Sequence, residues 1–377
     1  MNALAIYDKL TAGRTRFVRV DELCARAAED FPGFLPSKNK MEAEARRALK
    51  DKQRLEIDQG LFLSQVLADA AAGAHLCHAM LLPHPGSSAR LAEYERKGEL
   101  DFGGASLGRR GKASVLTMKN PDFLNAEDES TLEGMEQAVD VALLDPKTEV
   151  CVLRGAPVAH PKYAGGRIFG AGINLTHLYQ GKIRYLWYLI RDLGFVNKFY
   201  RGLALPDVSP EVDSKEKLWI AAVEGFAIGG HCQILLTMDY TLAAHDAYLT
   251  LPARKEGIVP GAANLRLPRF VGDRIARQAV MAERRIDCAS PEGRLICDEV
   301  VASAEMDHAI DRAVERLTGS GVVSAAGNRR AFRAGEEPLD AFRRYMAVYA
   351  REQAHCHFSP ALITNLERNW NAATRRA

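Results

Sequence analysis

The chain reads as an α/β protein flanked by helical segments, and three observations predict this. Beyond residue 113, short apolar runs (ASVLTMK, EVCVLRG, LWIAAVEG) alternate with amphipathic stretches, the pattern of strands joined by helical crossovers. Up to residue 107 the sequence is rich in Ala, Leu, Glu, Arg and Lys at helical spacing, as in MEAEARRALKDKQRLEIDQGLFLSQVLADAAAGAHLCHAMLL. After Val301 it is helical again through EMDHAIDRAVERL, PLDAFRRYMAVYAREQAH and PALITNLERNW. The expected organisation is a helical N-terminal domain over 1–107, an α/β core over 108–305 and a helical C-terminal region over 306–377. The Gly-rich, basic stretch GELDFGGASLGRRGKAS reads as the linker between the first two.

Composition sets the bounds. At 377 residues, with 47% hydrophobic and 26% charged residues, the chain has the make-up of an ordinary globular protein with one sizeable core. With 50 basic against 48 acidic residues its formal charge is +2, so no whole-molecule field predicts a nucleic acid or a membrane as partner. The opening MNALAIYDKLTAGRTRF lacks the apolar run of a signal peptide, and no stretch is apolar enough to span a bilayer, so a cytoplasmic location is expected. The 7 cysteines are scattered without a CxxC pair, which suits reduced thiols. None of the 10 histidines sits in an HxD or HxE pair, the usual announcement of a mononuclear iron oxygenase, and His75/His78 and His355/His357 lie in helical sequence. No metal is expected.

Two glycine turns are the informative motifs. The first, Gly165-Gly166-Arg167-Ile168-Phe169-Gly170-Ala171-Gly172-Ile173-Asn174-Leu175, follows a strand and a loop. Its small residues suit either a tight turn or a backbone that approaches a ligand closely. As a dinucleotide fingerprint it fails, because the third glycine is missing. In the second, an apolar strand Trp219–Val223 ends at Gly225, and the pair Gly229-Gly230 opens a helix through His231-Cys232-Gln233-Ile234-Leu235. Free N–H groups at such a helix start favour an anion or an oxyanion, and paired glycines equally permit close helix packing.

Together these segments resemble the crotonase (enoyl-CoA hydratase/isomerase) superfamily. FGAGINL and VEGFAIGGHCQILLTMDYTLAAHDAYLTLPARKEGIVPGAANLRLPRFVG carry the likeness, with NPDFLNAEDESTLEGMEQAV as the early helix and RRIDCASPEGRLICDEVV further on. The resemblance implies a crotonase-like spiral of ββα units, a coenzyme A thioester substrate, and self-association as a trimer or a dimer of trimers, with the C-terminal region serving trimerisation and covering the active site. It also implies that the backbone N–H groups of Ile173 and Gly230 form an oxyanion hole. Two such donors stabilise the charge that develops on a thioester oxygen when a neighbouring proton leaves, and losing one typically costs about 2.7–4 kcal/mol.

The chain departs from a hydratase where that enzyme needs a carboxylate acid and a carboxylate base. Here the corresponding positions hold Gln233 and Ala253, neither of which exchanges protons near pH 7. The run GINLTHLYQGKIRYLWYLIRDLGFVNKFYRGL, the glutamine in EGFAIGGHCQILL and the helical N-terminal extension resemble a cofactor-independent oxygenase branch of the superfamily. That resemblance implies reaction of 3,5-dihydroxyphenylacetyl-CoA with O2 to 3,5-dihydroxyphenylglyoxylate and CoA, in the dihydroxyphenylglycine branch of antibiotic biosynthesis, with no cofactor.

A benzylic C–H beside a thioester is acidified by both groups, and an enolate held by an oxyanion hole can itself reduce O2. Apolar walls would favour O2, with Ile234 and Leu235 as wall candidates beside their simpler role in the core. Glu127 and Arg191 are the candidates for binding ring hydroxyls, with Gln233 near the reacting carbon; helix N-terminal charge and a solvated helix face are the plainer readings of Glu127 and Arg191. Arg109, Arg110 and Lys112 suit either CoA phosphates or a soluble linker. Two other readings compete with the oxygenase: a crotonase-type hydrolase or isomerase of another acyl-CoA or aryl-CoA, and a noncatalytic CoA-ester-binding scaffold.

Overall fold

The computed structural model describes residues 2–163, 165–320 and 322–374. Its centre is a seven-stranded sheet whose spatial order follows the chain: β1 (Glu99–Asp101), β2 (Ala105–Arg110), β3 (Ala113–Met118), β4 (Val150–Gly155), β5 (Leu218–Val223), β6 (Tyr240–Ala244) and β7 (Glu299–Val301). From β3 to β7 every neighbour is parallel, so each step needs a crossover. Val152 and Leu153 of β4 and Ile220 and Ala221 of β5 are fully buried, as befits strands covered on both faces.

The crossovers generate the spiral. After β5 the chain adds Phe226–Ile228 to a second, three-stranded sheet before the helix Gly230–Leu235; after β6 it adds Tyr248–Thr250 before the helix Ala253–Glu256. Tyr248–Thr250 pairs in parallel with Phe226–Ile228, so successive strand–strand–helix units stack.

The Gly-rich stretch expected as a linker is instead part of the main sheet. β1, β2 and β3 form an antiparallel meander in which Ala105 faces Met118 and Leu107 faces Leu116. Gly111, with φ 57°, makes the turn between β2 and β3. Gly104 lies so close to the helix Glu129–Leu144 that a Cβ there would stand 2.5 Å from the Thr131 Cα. Glycine here serves close packing, and Ala105, Leu107 and Leu116 supply the buried face.

The two helical ends of the chain meet. The helix Leu339–His357 lies along Ile57–Ala68, where Gly60 leaves room for Ala354 and the Ser64 hydroxyl donates to the Ala347 carbonyl at 2.7 Å. Arg343 donates to the carbonyls of Leu67 and Ala68, closing the C-terminus of that helix. The Tyr185 hydroxyl reaches the Ala350 carbonyl at 2.5 Å, joining both ends to the helix Tyr185–Leu193.

A buried ionic cluster joins the N-terminal helices to the core. Lys198, with a side chain fully withdrawn from solvent, donates to Glu136 and Asp140 at 2.7 Å each. Arg19 donates to both Glu136 oxygens, while Ser87 and the His84 N–H donate to Asp140. Burial pushes the Asp140 carboxyl up; Glu136 is held down despite burial by Lys198 and Arg19. Replacing one member of such a cluster strands the others. We expect Lys198→Met to lower the free energy of unfolding by about 3–5 kcal/mol, read by urea denaturation; a loss below about 1 kcal/mol, the range of exposed pairs, would show the cluster to be solvated.

Candidate active site

The two glycine turns come together across the second sheet. The Gly170 N–H donates to the Phe226 carbonyl at 3.1 Å, and the Ile228 N–H returns to the Gly170 carbonyl at 3.0 Å. Gly172, with φ 80°, approaches so closely that a Cβ on it would stand 2.8 Å from the Ile228 oxygen and 3.4 Å from the Gly230 nitrogen. On its outer side the first turn is pinned by Glu127, whose N–H donates to the Gly172 carbonyl and whose carbonyl accepts from the Asn174 N–H, both at 2.8 Å.

This pairing consumes the groups on either side of Ile173 and leaves its own N–H without a partner among the hydrogen bonds of the described residues. The same holds for Gly230. Gly229, at φ 54° and ψ −115°, donates to the Thr250 carbonyl and turns the chain so that the Gly230 N–H starts the next helix unpaired.

A narrow cleft opens beside both. Trp187, Tyr188, Leu251, Ile258, Val259 and Pro260 form its apolar wall; Arg191, Asp192 and Gln233 form a polar one, and Tyr349 enters from the C-terminal helix.

Arg191 is the hub of the polar wall. Its side chain is 2% exposed, and all five guanidinium N–H groups have acceptors. Nε and Nη2 clasp Glu127 at 2.8 Å each, Nη2 also reaches the Gly230 carbonyl at 2.8 Å, and Nη1 donates to Asp192 at 2.6 Å and to the Gln233 Oε1 at 3.1 Å. Although burial opposes its charge, the carboxylates of Glu127 and Asp192 raise its affinity for the proton further. Arg191 therefore has no donor left over for a substrate hydroxyl in this arrangement. Gln233 has: with Oε1 occupied, its amide N–H groups are left for the cleft.

The structure thus brings Ile173, Gly230, Gln233, Arg191 and Glu127 together, with Glu127 behind Arg191 rather than on the cleft surface. Ala253 lies on the wall, as its position in the sequence implies. Ile234 and Leu235, expected as an O2 pocket, do not line the cleft. With Gln233 turned to the cleft, the helical rotation carries the next two side chains away, and they are 0% and 1% exposed within the core. The apolar wall comes instead from Leu251, Ile258 and Val259, whose role no motif announced. Nor did anything mark Glu256, a buried carboxyl on the cleft wall that burial pushes up to about 8. In PARKEGIVPG it looks like one charge of a solvated turn. Of the basic residues near the first strands, Arg109 is committed to Asp145 by two hydrogen bonds and stacks over Tyr94.

His231 has a structural task. Its Nδ1 accepts from the Gly172 N–H at 3.0 Å, and its ring fills the space that a Cβ on Gly170 would need, 2.2 Å away. An accepting Nδ1 requires the neutral imidazole, and burial holds its pKa down to about 4. Because the folded value lies below the ordinary 6.5, the stability this group contributes is complete above about 6.5 and is lost as pH falls through 4. We expect His231→Asn, whose Oδ1 replaces the acceptor but does not titrate, to reduce the acid-side loss of unfolding free energy by about 3 kcal/mol; parallel pH–stability curves for the two proteins would contradict the assignment.

Residues 109–355 match the Enoyl-CoA hydratase/isomerase family. The chain is 48% identical over 354 residues, covering 94% of it and 81% of the relative, to the (3,5-dihydroxyphenyl)acetyl-CoA 1,2-dioxygenase of Amycolatopsis orientalis. It is 28% identical over 242 residues, 64% of the chain and 84% of the relative, to the carnitinyl-CoA dehydratase of Salmonella typhi. Among solved structures, an enoyl-CoA hydratase/isomerase from Xanthobacter autotrophicus Py2 superposes with a TM-score of 0.58 at 22% identity, covering 73% of this chain and 99% of that one. An enoyl-CoA hydratase from Bacillus halodurans does so at 0.58 and 17% identity, over 70% and 99% of the two chains. With its paired glycine turns, its stacked strand–strand–helix units and a match across most of its core, the chain belongs to the enoyl-CoA hydratase/isomerase family.

Proposed function

We propose that the chain is a metal- and cofactor-independent dioxygenase that converts 3,5-dihydroxyphenylacetyl-CoA and O2 into 3,5-dihydroxyphenylglyoxylate and CoA. The observation that carries this reading is a pair of unpaired backbone N–H groups, Ile173 and Gly230, opening into a cleft where Gln233 and Ala253 replace an acid–base pair of carboxylates. The 48% identity to a dioxygenase of that substrate, over 94% of the chain, supports the same conclusion.

The chemistry follows from the arrangement. Loss of an α-proton puts charge on the thioester oxygen, where the two N–H donors hold it. The resulting enolate is the reductant; O2 joins the α-carbon, and the peroxide attacks the thioester carbonyl and expels CoA. The side chains of Leu251, Ile258 and Val259 line the site with hydrocarbon, in which O2 dissolves readily and from which quenching water is excluded. The ring hydroxyls find the Gln233 amide N–H groups and the Tyr349 oxygen on the cleft wall, while Arg191 and Glu127 act from behind by holding Gly230 and Gln233 in place. Self-association as a trimer or a dimer of trimers is part of the proposal, on the strength of the family likeness.

The test is an oxygen electrode and a thiol titration on one sample of chelator-treated protein with 3,5-dihydroxyphenylacetyl-CoA. We expect O2 uptake and CoA release in equal amounts. Thiol release without O2 uptake would make the protein a thioesterase instead.

A further inference from the structure

We infer that Glu256 is the catalytic base of this cleft, taking the α-proton of the bound thioester and later protonating the departing CoA thiolate. The identity of the substrate rests on the dioxygenase reading above.

Glu256 ends the short helix Ala253–Glu256, one turn beyond the alanine that replaces a hydratase carboxylate, and lines the same cleft as Ile173 and Gly230. It is 5% exposed, and no hydrogen bond or ion pair reaches its carboxyl among the described residues. Other carboxylates buried nearby are satisfied: Glu127 and Asp192 by Arg191, Glu56 by Lys52 and the Tyr185 N–H. A carboxyl withdrawn from water without a partner is costly, and on the wall of a cleft it marks a functional group.

The other cleft groups are unsuited to the task. Asp192 is bound by Arg191 at 2.6 Å. Burial raises the Tyr349 hydroxyl far above its ordinary range, and Gln233 does not titrate. The charged and titratable groups around Glu256 are Lys255 on its own helix, Tyr188, Arg191 and Asp192 on Tyr185–Leu193, Tyr349 on Leu339–His357, and His357 behind Tyr188. Burial outweighs Lys255 and brings Glu256 to about 8, so both its forms are populated near neutrality, as a group that accepts and returns a proton requires.

The steps balance. The Glu256 carboxylate takes one α-hydrogen as a proton, and the C–H electron pair becomes the enolate. O2 is reduced as it bonds to the α-carbon, the peroxide oxygen bonds to the thioester carbon, and the C–S bond breaks with its electron pair on sulfur. The thiolate takes the proton back from Glu256. Loss of the second α-hydrogen to water, with cleavage of the O–O bond, leaves the 2-oxo carboxylate.

The first half-step needs no O2, so it is tested by anaerobic exchange of the α-hydrogens of 3,5-dihydroxyphenylacetyl-CoA for deuterium in D2O. Wild-type exchange above the spontaneous rate should rise with pH through about 8. Glu256→Gln should slow it about a hundredfold or more and flatten the pH profile while leaving the affinity for the CoA ester unchanged, and Glu256→Asp should restore part of the rate and the pH dependence. Wild-type exchange in Glu256→Gln, or a Glu256→Asp profile no different from wild type in rate, would overturn the assignment. Failure of the dioxygenase reading has a separate signature: wild-type exchange that depends on Glu256, with no O2 uptake in air.

Discussion

A guanidinium buried to 2% exposure must find acceptors for five N–H groups, and Arg191 finds them on Glu127, Asp192, Gln233 and the Gly230 carbonyl. Those acceptors belong to the turn before the helix Glu129–Leu144, to Arg191's own helix and to the helix after the second glycine turn. One side chain therefore sets the spacing of three segments that are distant in sequence. The Glu127 backbone pins the loop that carries Ile173, and the Glu127 side chain, through Arg191, reaches the Gly230 carbonyl. Both unpaired N–H donors are held from one centre. The cost of desolvating the charge is offset because two carboxylates and full hydrogen bonding accompany it.

Glycine makes the rest of this geometry possible. Gly172 and Gly229 adopt positive φ, and a Cβ on Gly230 would stand 2.5 Å from the Glu127 Oε2 and 2.9 Å from the Arg191 Nη2. A Cβ on Gly261 would stand 2.3 Å from the Gln233 Oε1 and 2.7 Å from the Asp192 Oδ2. The polar wall can be this dense only where the backbone facing it has no side chains. His231 adds the complementary constraint, filling the space beside Gly170 and accepting the Gly172 N–H, so that the N–H left over in that turn is that of Ile173.

The helical ends of the chain build part of the cleft wall. The helix Leu339–His357 rests on Ile57–Ala68 along one side and sends Tyr349 into the site on the other, while the Gln353 side chain accepts from the Val259 N–H of the apolar wall. A segment near the start of the chain thus supports one that lines the site. Burial of Glu256 and Tyr349 in this wall raises the proton affinity of both, and electrostatic interactions with an enolate are stronger there than in water.

The sequence by itself determined the α/β class, the helical flanks, the two glycine turns and the absence of a hydratase's carboxylate pair. Periodicity, local turn chemistry and residue identity at fixed spacings are all written along one stretch of chain. The family resemblance also pointed to Ile173, Gly230, Gln233 and Arg191, which line one cleft, and to Glu127, which lies behind Arg191. Only the tertiary structure decided that Arg191 is spent on protein acceptors, that Ile234 and Leu235 turn to the core, and that GELDFGGASLGRRGKAS makes strands rather than a linker. Glu256 was illegible for the same reason. Whether a carboxyl is solvated or buried without a partner depends on what distant segments bring against it, here Tyr185–Leu193 and Leu339–His357, and no local pattern encodes that meeting.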